Sequence, residues 1–221
     1  MMLRKVFWED PYLTHLDTEI ATVDGDDVTL AATIIYAFSG GQESDLGTIG
    51  GHPVLAARKV AANILYTLPA HHGLAVGDRV ATEIDWERRY RLMRLHFAAE
   101  IVLEIVYRDL GPIGKIGAHI AADKARIDFA REAPVTAELP AILQRASAII
   151  DADLPITSAF SDEAAGRRFW QVPGFDPVPC GGTHLKRTGE VGTLTLKRRN
   201  IGKGKERIEI QLGSSAQGRD E

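Results

Sequence analysis

The stretch Asp85-Trp86-Glu87-Arg88-Arg89-Tyr90-Arg91-Leu92-Met93-Arg94-Leu95-His96-Phe97-Ala98-Ala99-Glu100-Ile101-Val102-Leu103-Glu104-Ile105-Val106-Tyr107-Arg108 is where the character of the chain changes. Before it, apolar residues recur with a period of two; from Asp85 onward the period is near 3.6. Asp85 is a suitable N-cap, Trp86-Glu87-Arg88-Arg89 opens a first turn, and Leu92, Leu95, Ile101, Leu103, Ile105 and Val106 leave little polar face. A long buried helix over 85–108 is predicted.

Upstream, β-branched or alternating runs at 18–23, 28–36, 54–60 and 80–84 are separated by the turn formers Asp24-Gly25-Asp26-Asp27, Gly50-Gly51-His52-Pro53 and Gly77-Asp78. Between them lies Tyr36-Ala37-Phe38-Ser39-Gly40-Gly41-Gln42-Glu43-Ser44-Asp45-Leu46-Gly47. This segment reads as a glycine-rich loop whose backbone N–H groups are left free to cradle an anion or a carbonyl. Downstream, the pattern predicts a Gly/Pro loop at 109–117, a strand at 119–129 and a second helix at 136–150 with Pro140 in its opening turn. A further strand, a loop around 178–184 and a hairpin of 191–198 with 207–212 follow, and a polar tail closes the chain at 213–221. The expected fold class is therefore α+β: a small β-barrel-like domain over 1–84, then an α+β domain with an antiparallel sheet and the long helix over 85–221.

With 221 residues, 45 % of them hydrophobic and 25 % charged, the chain can bury a sizeable core and does not have the composition of a disordered one. No apolar run reaches the length of a membrane helix, and the first nine residues lack the apolar core of a signal peptide. Cys180 is the single cysteine, which excludes an intramolecular disulfide framework and fits a reducing cytoplasm. The net charge is −4, yet residues 186–207 carry eight basic and two acidic side chains, a local +6. A polyanion would dock there; the competing reading is a solvated hairpin whose lysines guard a sheet edge.

The chemistry-bearing piece is Cys180-Gly181-Gly182-Thr183-His184. A thiolate and an imidazole joined through flexible glycines can bend toward one cation, and that ligand mixture suits zinc. His96 and Glu100 stand at i and i+4 on the long helix, where both side chains reach one point. Taken singly, His96 would be a hydrogen-bonded core residue, Cys180 a small hydrophobe, and Glu100 the partner of an arginine such as Arg94 or Arg126. The pair His71-His72 reads as a surface loop.

Cys180-Gly181-Gly182-Thr183-His184, followed by Thr188-Gly189-Glu190-Val191-Gly192, resembles the signature of the alanyl-tRNA synthetase editing domain and of its free-standing relatives, the alanyl-tRNA editing proteins. Ser39-Gly40-Gly41-Gln42 with Asp45 and Gly47 is similar to that family's glycine-rich loop. Ala125-Arg126-Ile127-Asp128-Phe129 and the hairpin ending Arg207-Ile208-Glu209 follow in the family's order. The likeness covers most of the chain and, given its N-terminal β domain, points to the medium-length members. It implies a cytoplasmic enzyme that hydrolyses the ester joining a wrong amino acid, serine or glycine, to alanine tRNA, with Zn2+ as cofactor.

In that family zinc is held by His-x-x-x-His on a helix and Cys-x-x-x-His in a loop. Here the metal set is His96, Glu100, Cys180 and His184, with glutamate in place of the second histidine; Phe38 also stands where the family is commonly polar. Three readings of Glu100 follow: an oxygen ligand that leaves the site neutral, a general base beside a three-ligand metal with an open position, or a loss of metal and activity. The mechanism expected on this resemblance brings the aminoacylated tRNA end between the β domain and the α+β domain, where the Gly40-Gly41-Gln42 loop would face the metal and Gln42 would position water or the carbonyl. Thr183 would discriminate serine's hydroxyl, and Lys197, Arg198, Arg199, Lys203 and Lys205 would hold acceptor-stem phosphates. The alternatives are a tRNA-binding relative without catalysis and a zinc hydrolase of a small ester or amide.

Overall fold

The computed structural model describes residues 3–111, 113–202 and 204–213. They divide into two compact units, Met1–Tyr90 and Arg91–Glu221.

In the first unit the strands are β1 Arg4–Lys5, β2 His15–Asp24, β3 Asp27–Leu30, β4 Ala32–Thr33, β5 Gly47–Ile49, β6 His52–Pro53, β7 Ala56–Val60, β8 Asn63–Thr67 and β9 Arg79–Ile84. Seven of them form one antiparallel sheet in the order β6-β5-β9-β2-β3-β8-β7. β2 explains its curl. Its first half pairs with β9 (His15↔Glu83 to Glu19↔Arg79) and its second half with β3. A register shift between Ile20 and Thr22 lets the strand bend as it passes from one partner to the other. The concave face buries Ile20, Val28, Leu30, Ile34, Ile49, Tyr66 and Leu68. The Tyr66 hydroxyl, fully enclosed, is within 2.7 Å of Thr33 Oγ1 and donates to the Ile35 carbonyl at 2.9 Å.

The predicted strand at 28–36 is two short ones, β3 and β4, and β5 and β8 escaped the pattern. β8 was hidden because its turn from β7 uses Ala61 at φ +53, a residue that marks no turn in a sequence.

In the second unit the helix α1, Trp86–Leu110, continues from the first; strands β10 Gly114–Ile120, β11 Ala125–Ala130, helix α2 Leu139–Asp151, β12 Thr157–Asp162, β13 Arg167–Gln171, β14 Val178–Pro179, β15 Leu194–Asn200 and β16 Lys205–Leu212 follow. Two antiparallel sheets result, β10-β11-β16-β15 and β12-β13-β14. Asp85 Oδ1 accepts the Arg88 N–H at 3.0 Å and caps α1 as predicted. Leu92, Met93, Leu95, Phe97, Ala98, Ile101, Val102 and Val106 are fully buried, so the helix is apolar nearly all round.

The predicted strand at 119–129 is instead the hairpin β10–β11, closed by the Ala121 N–H to the Lys124 carbonyl at 3.0 Å. No glycine or proline announces that turn. The loop at 109–117 is correspondingly shorter. α2 starts at Leu139 instead of residue 136, and the C-terminal hairpin starts at Leu194 because Thr188–Val191 form a 3-10 turn. The first turn of α1 belongs to the β unit for a packing reason: Trp86 and Tyr90 stack on one another and meet Tyr12, and Arg89 is bound by Asp45.

Candidate metal centre

The small sheet of the second unit builds one wall of the site. Its register pairs Phe160 with Arg168 and Ser158 with Trp170, and sets Trp170 opposite Val178. The Cys180 N–H donates to the Arg168 carbonyl at 2.9 Å, one step further along the same ladder. Residues directly opposite in an antiparallel pair share a face, so Ser158, Phe160, Arg168, Trp170 and Cys180 lie on one side of this sheet. From α1, His96 and Glu100 meet that side.

His96, Cys180 and His184 each bring one ligand atom within 4.8 Å of the other two. His96 Nε2 stands 3.2 Å from Cys180 Sγ, and the two imidazole rings cross at 69° with centroids 5.3 Å apart. Both histidines are buried, at 5 % and 4 % exposure. The Ser158 hydroxyl meets His184 Nδ1 at 2.9 Å, which leaves Nε2 enclosed with no hydrogen-bond partner. A buried polar nitrogen without a partner costs about 1–3 kcal/mol, and a cation bound there removes the deficit. A tetrahedral zinc, with bonds of about 2.0–2.3 Å, places its ligand atoms roughly 3.3–3.8 Å apart, a spacing this group can adopt. The donor set fits zinc.

Glu100 stands beside this group. Its Oε1 is 3.6 Å from His96 Nε2, and its Oε2 accepts the Trp170 Nε1–H at 3.1 Å. Neither arginine named as an alternative partner takes it: Arg94 donates to the Val191 carbonyl, and Arg126 pairs with Asp128. Burial pushes the His96 imidazolium down, but the Cys180 sulfur and then Glu100 overcome it and raise the pKa. For Glu100, burial acts upward and is outweighed by His96 and by the Trp170 hydrogen bond, so the carboxyl is held low. Burial, and then the charge on His96, depress His184. A metal needs both imidazoles neutral, which dissolves the His96–Glu100 ion pair in favour of ligation.

Residues 168–209, from the start of this ladder through the cysteine loop and the C-terminal hairpin, match the model of the threonyl and alanyl tRNA synthetase second additional domain. The whole chain is similar to the alanyl-tRNA editing protein AlaX-M of Pyrococcus horikoshii, 32 % identical over 215 residues that cover 96 % of this chain and 98 % of the relative. This chain belongs to the AlaX-M family of alanyl-tRNA editing proteins. The AlaX-M protein of Saccharolobus solfataricus is also 32 % identical, over 94 % of this chain and 98 % of its own. An alanine–tRNA ligase of Ignicoccus hospitalis matches 96 % of this chain at 32 % identity, within 26 % of its own length.

In this AlaX-M family member the glycine-rich loop is tighter than predicted. Ser39 and Gln42 exchange backbone hydrogen bonds, 3.2 and 3.0 Å, around Gly40 and Gly41 at φ +61 and +87, a two-residue turn that requires glycine. The N–H groups of Tyr36, Phe38 and Asp45 are also engaged, by Asp45 Oδ2, Ser44 Oγ and the Tyr36 carbonyl. The expectation of free N–H groups is corrected at these positions. Gln42 is fully buried, as is Thr183 at 1 % exposure.

The basic hairpin is partly neutralised by its own carboxylates. Arg198 makes two bonds of 2.6 Å to Glu206, and Arg199 reaches Glu209 at 3.2 Å, while Lys197 and Lys205 are exposed. Lys203 and the tail beyond residue 213 lie outside the described residues. His72 corrects the surface-loop expectation: it is buried, with Nε2 3.3 Å from the Gly25 carbonyl. Sequence reasoning passed over Ser158, Arg168 and Trp170. The alternation of Arg168 and Trp170 in one strand of the matched segment is the signal that would have found them. No helix among the described residues is long and apolar enough to cross a membrane.

Proposed function

We propose that this protein edits alanine tRNA, hydrolysing the ester that carries a wrongly attached serine or glycine, at a zinc ion held by His96, Cys180 and His184. The observation that carries the reading is the convergence of these three side chains, one of them with an orphaned buried nitrogen, in a chain similar over its full length to alanyl-tRNA editing proteins. The ion, when bound, supplies a Lewis acid for the ester or for the attacking water.

The chain's own residues do the rest. With Nε2 on the ion, His184 would donate its Nδ1–H to the Ser158 hydroxyl, which holds the ring in place. Trp170 holds one oxygen of Glu100, leaving Oε1 to take a proton from the attacking water; in this role Glu100 lies outside the ligand set. Thr183, buried one residue before His184, offers serine's hydroxyl a hydrogen bond that alanine cannot return, a discrimination of about 1–3 kcal/mol. Exposed Lys197 and Lys205, together with Arg198, Arg199 and Lys203, contact acceptor-stem phosphates and make affinity salt-dependent.

The test is deacylation of seryl-, glycyl- and alanyl-tRNA(Ala) by zinc-loaded protein. Release of serine or glycine with alanine spared, abolished in His96→Ala, is the expected result. If the purified, metal-loaded chain leaves both mischarged esters intact while still binding tRNA, it is a binding module.

A further inference from the structure

Arg168 is a buried cation at the edge of the metal centre that the reading above does not use. It is 6 % exposed. Its register partners are Phe160 on one side, whose ring centre lies 5.1 Å from the guanidinium carbon, and Cys180 on the other. Both neighbours lie on the sheet face that carries the metal-site residues. Its charge is felt by the Cys180 sulfur and by His184.

A guanidinium placed beside the seat of a divalent cation weakens that cation's binding, and burying it costs desolvation as well. An apolar residue would line the position without either cost. The charges of the site give Arg168 a task. A divalent metal with one thiolate and the Glu100 carboxylate is neutral, and a neutral centre attracts an anionic oxygen poorly. Arg168 brings the centre back to a net charge of +1. Its planar fork is also suited to bonding an oxygen of phosphate or of a tetrahedral carbon.

We infer that Arg168 is a further substrate-binding residue of this centre, which holds an anionic oxygen of the aminoacylated tRNA end beside the metal. The inference rests on the editing reading for its substrate but not for its charge relation to the metal. Two oxygens have the required chemistry: that of the terminal phosphodiester, and that of the ester carbonyl as it turns tetrahedral.

The experiment compares wild type, Arg168→Lys and Arg168→Gln on seryl-tRNA(Ala) and on 3′-seryl-adenosine, with zinc affinity measured by chelator competition. Arg168→Gln is expected to bind zinc at least as tightly as wild type, by up to about tenfold, because a nearby positive charge is gone. It should lose at least about tenfold in kcat/KM, with partial recovery in Arg168→Lys. A loss confined to KM on seryl-tRNA assigns the phosphodiester; a loss of kcat on both substrates assigns the ester oxygen. Unchanged turnover of both substrates, or zinc affinity that falls together with activity, overturns the proposal and makes Arg168 a structural support of Cys180. Should wild type cleave neither ester, the editing reading fails and tRNA binding decides: weaker binding by Arg168→Gln sustains an oxygen-binding Arg168, and equal binding removes it.

Discussion

At the scale of single residues, the proposed metal centre would depend on atoms that do not touch the ion. Trp170 is fully buried and donates its one N–H to Glu100. Trp170→Phe keeps most of the apolar contact, including the edge-to-face packing against Phe97, and removes only that donor. The variant is expected to fold and to lose roughly tenfold in zinc affinity or turnover, the lower end of what outer partners of a metal site contribute, as read by chelator competition. Glu100→His tests the departure from the family at the same scale. A third imidazole, as a fourth ligand beside His96, Cys180 and His184, should tighten zinc and shift the visible spectrum of the cobalt-substituted protein; an unchanged spectrum would mean that residue 100 never reaches the ion.

Among elements, the first turn of α1 and the glycine-rich loop are joined by a fully buried ion pair. Arg89 Nε donates to Asp45 Oδ1 at 2.7 Å and Nη2 to Asp45 Oδ2, while the same guanidinium serves the Pro11 and Ile34 carbonyls at 2.9 and 2.6 Å. Asp45 in turn closes the loop neck by accepting the Tyr36 N–H. Arg89→Met leaves a carboxylate buried without its cation and is expected to cost about 3–5 kcal/mol, seen as a lower urea midpoint at constant m. Asp45→Leu combined with it should recover part of that loss, since the pair and not either charge is what the packing tolerates.

The hairpin β15–β16 makes a contrasting case. Lys197 is exposed, whereas Arg198 is bonded twice to Glu206. Under the proposed function, Lys197→Ala should weaken tRNA binding and reduce the slope of log K against log salt by about one. Arg198→Ala should act more through the sheet than through the tRNA.

For the whole molecule, acid is expected to unfold the second unit through the carboxylates of its larger sheet. Asp128 is held low by Arg207 and Arg126 against the upward push of burial. Glu206 is held low by Arg198, and Glu209 by Lys124 and Arg199, again against burial. A folded pKa below the unfolded one contributes stability that is complete above the unfolded value, near 4, and is lost as pH falls through the folded value. The melting temperature should therefore change little between about pH 7 and 5 and drop below about pH 4. Under the proposed function, metal removal acts on the same unit: zinc at a hundred times its Kd would add about 2.7 kcal/mol, so a chelator should lower its melting temperature and returned zinc should restore it.

The sequence by itself determined the elements with a strong period and the candidate site residues with a strong spacing. Those are the apolar helix capped by Asp85, the sheet strands bounded by glycine, the Cys180–His184 loop and the pair His96 and Glu100 on one helix face. Local chemistry is enough for these, because periodicity, capping and i,i+4 geometry need no distant partner. Tertiary structure decided what depends on distant partners. Turns such as those at Ala61 and at residues 121–124 bear no glycine or proline and are imposed by the strands they connect. The placement of Ser158, Arg168 and Trp170 arises from cross-strand register, which brings residues far apart in the chain onto one face. Glu100 lies beside the converging His96, Cys180 and His184 because Trp170 and His96, not an arginine, are what the fold sets against its oxygens.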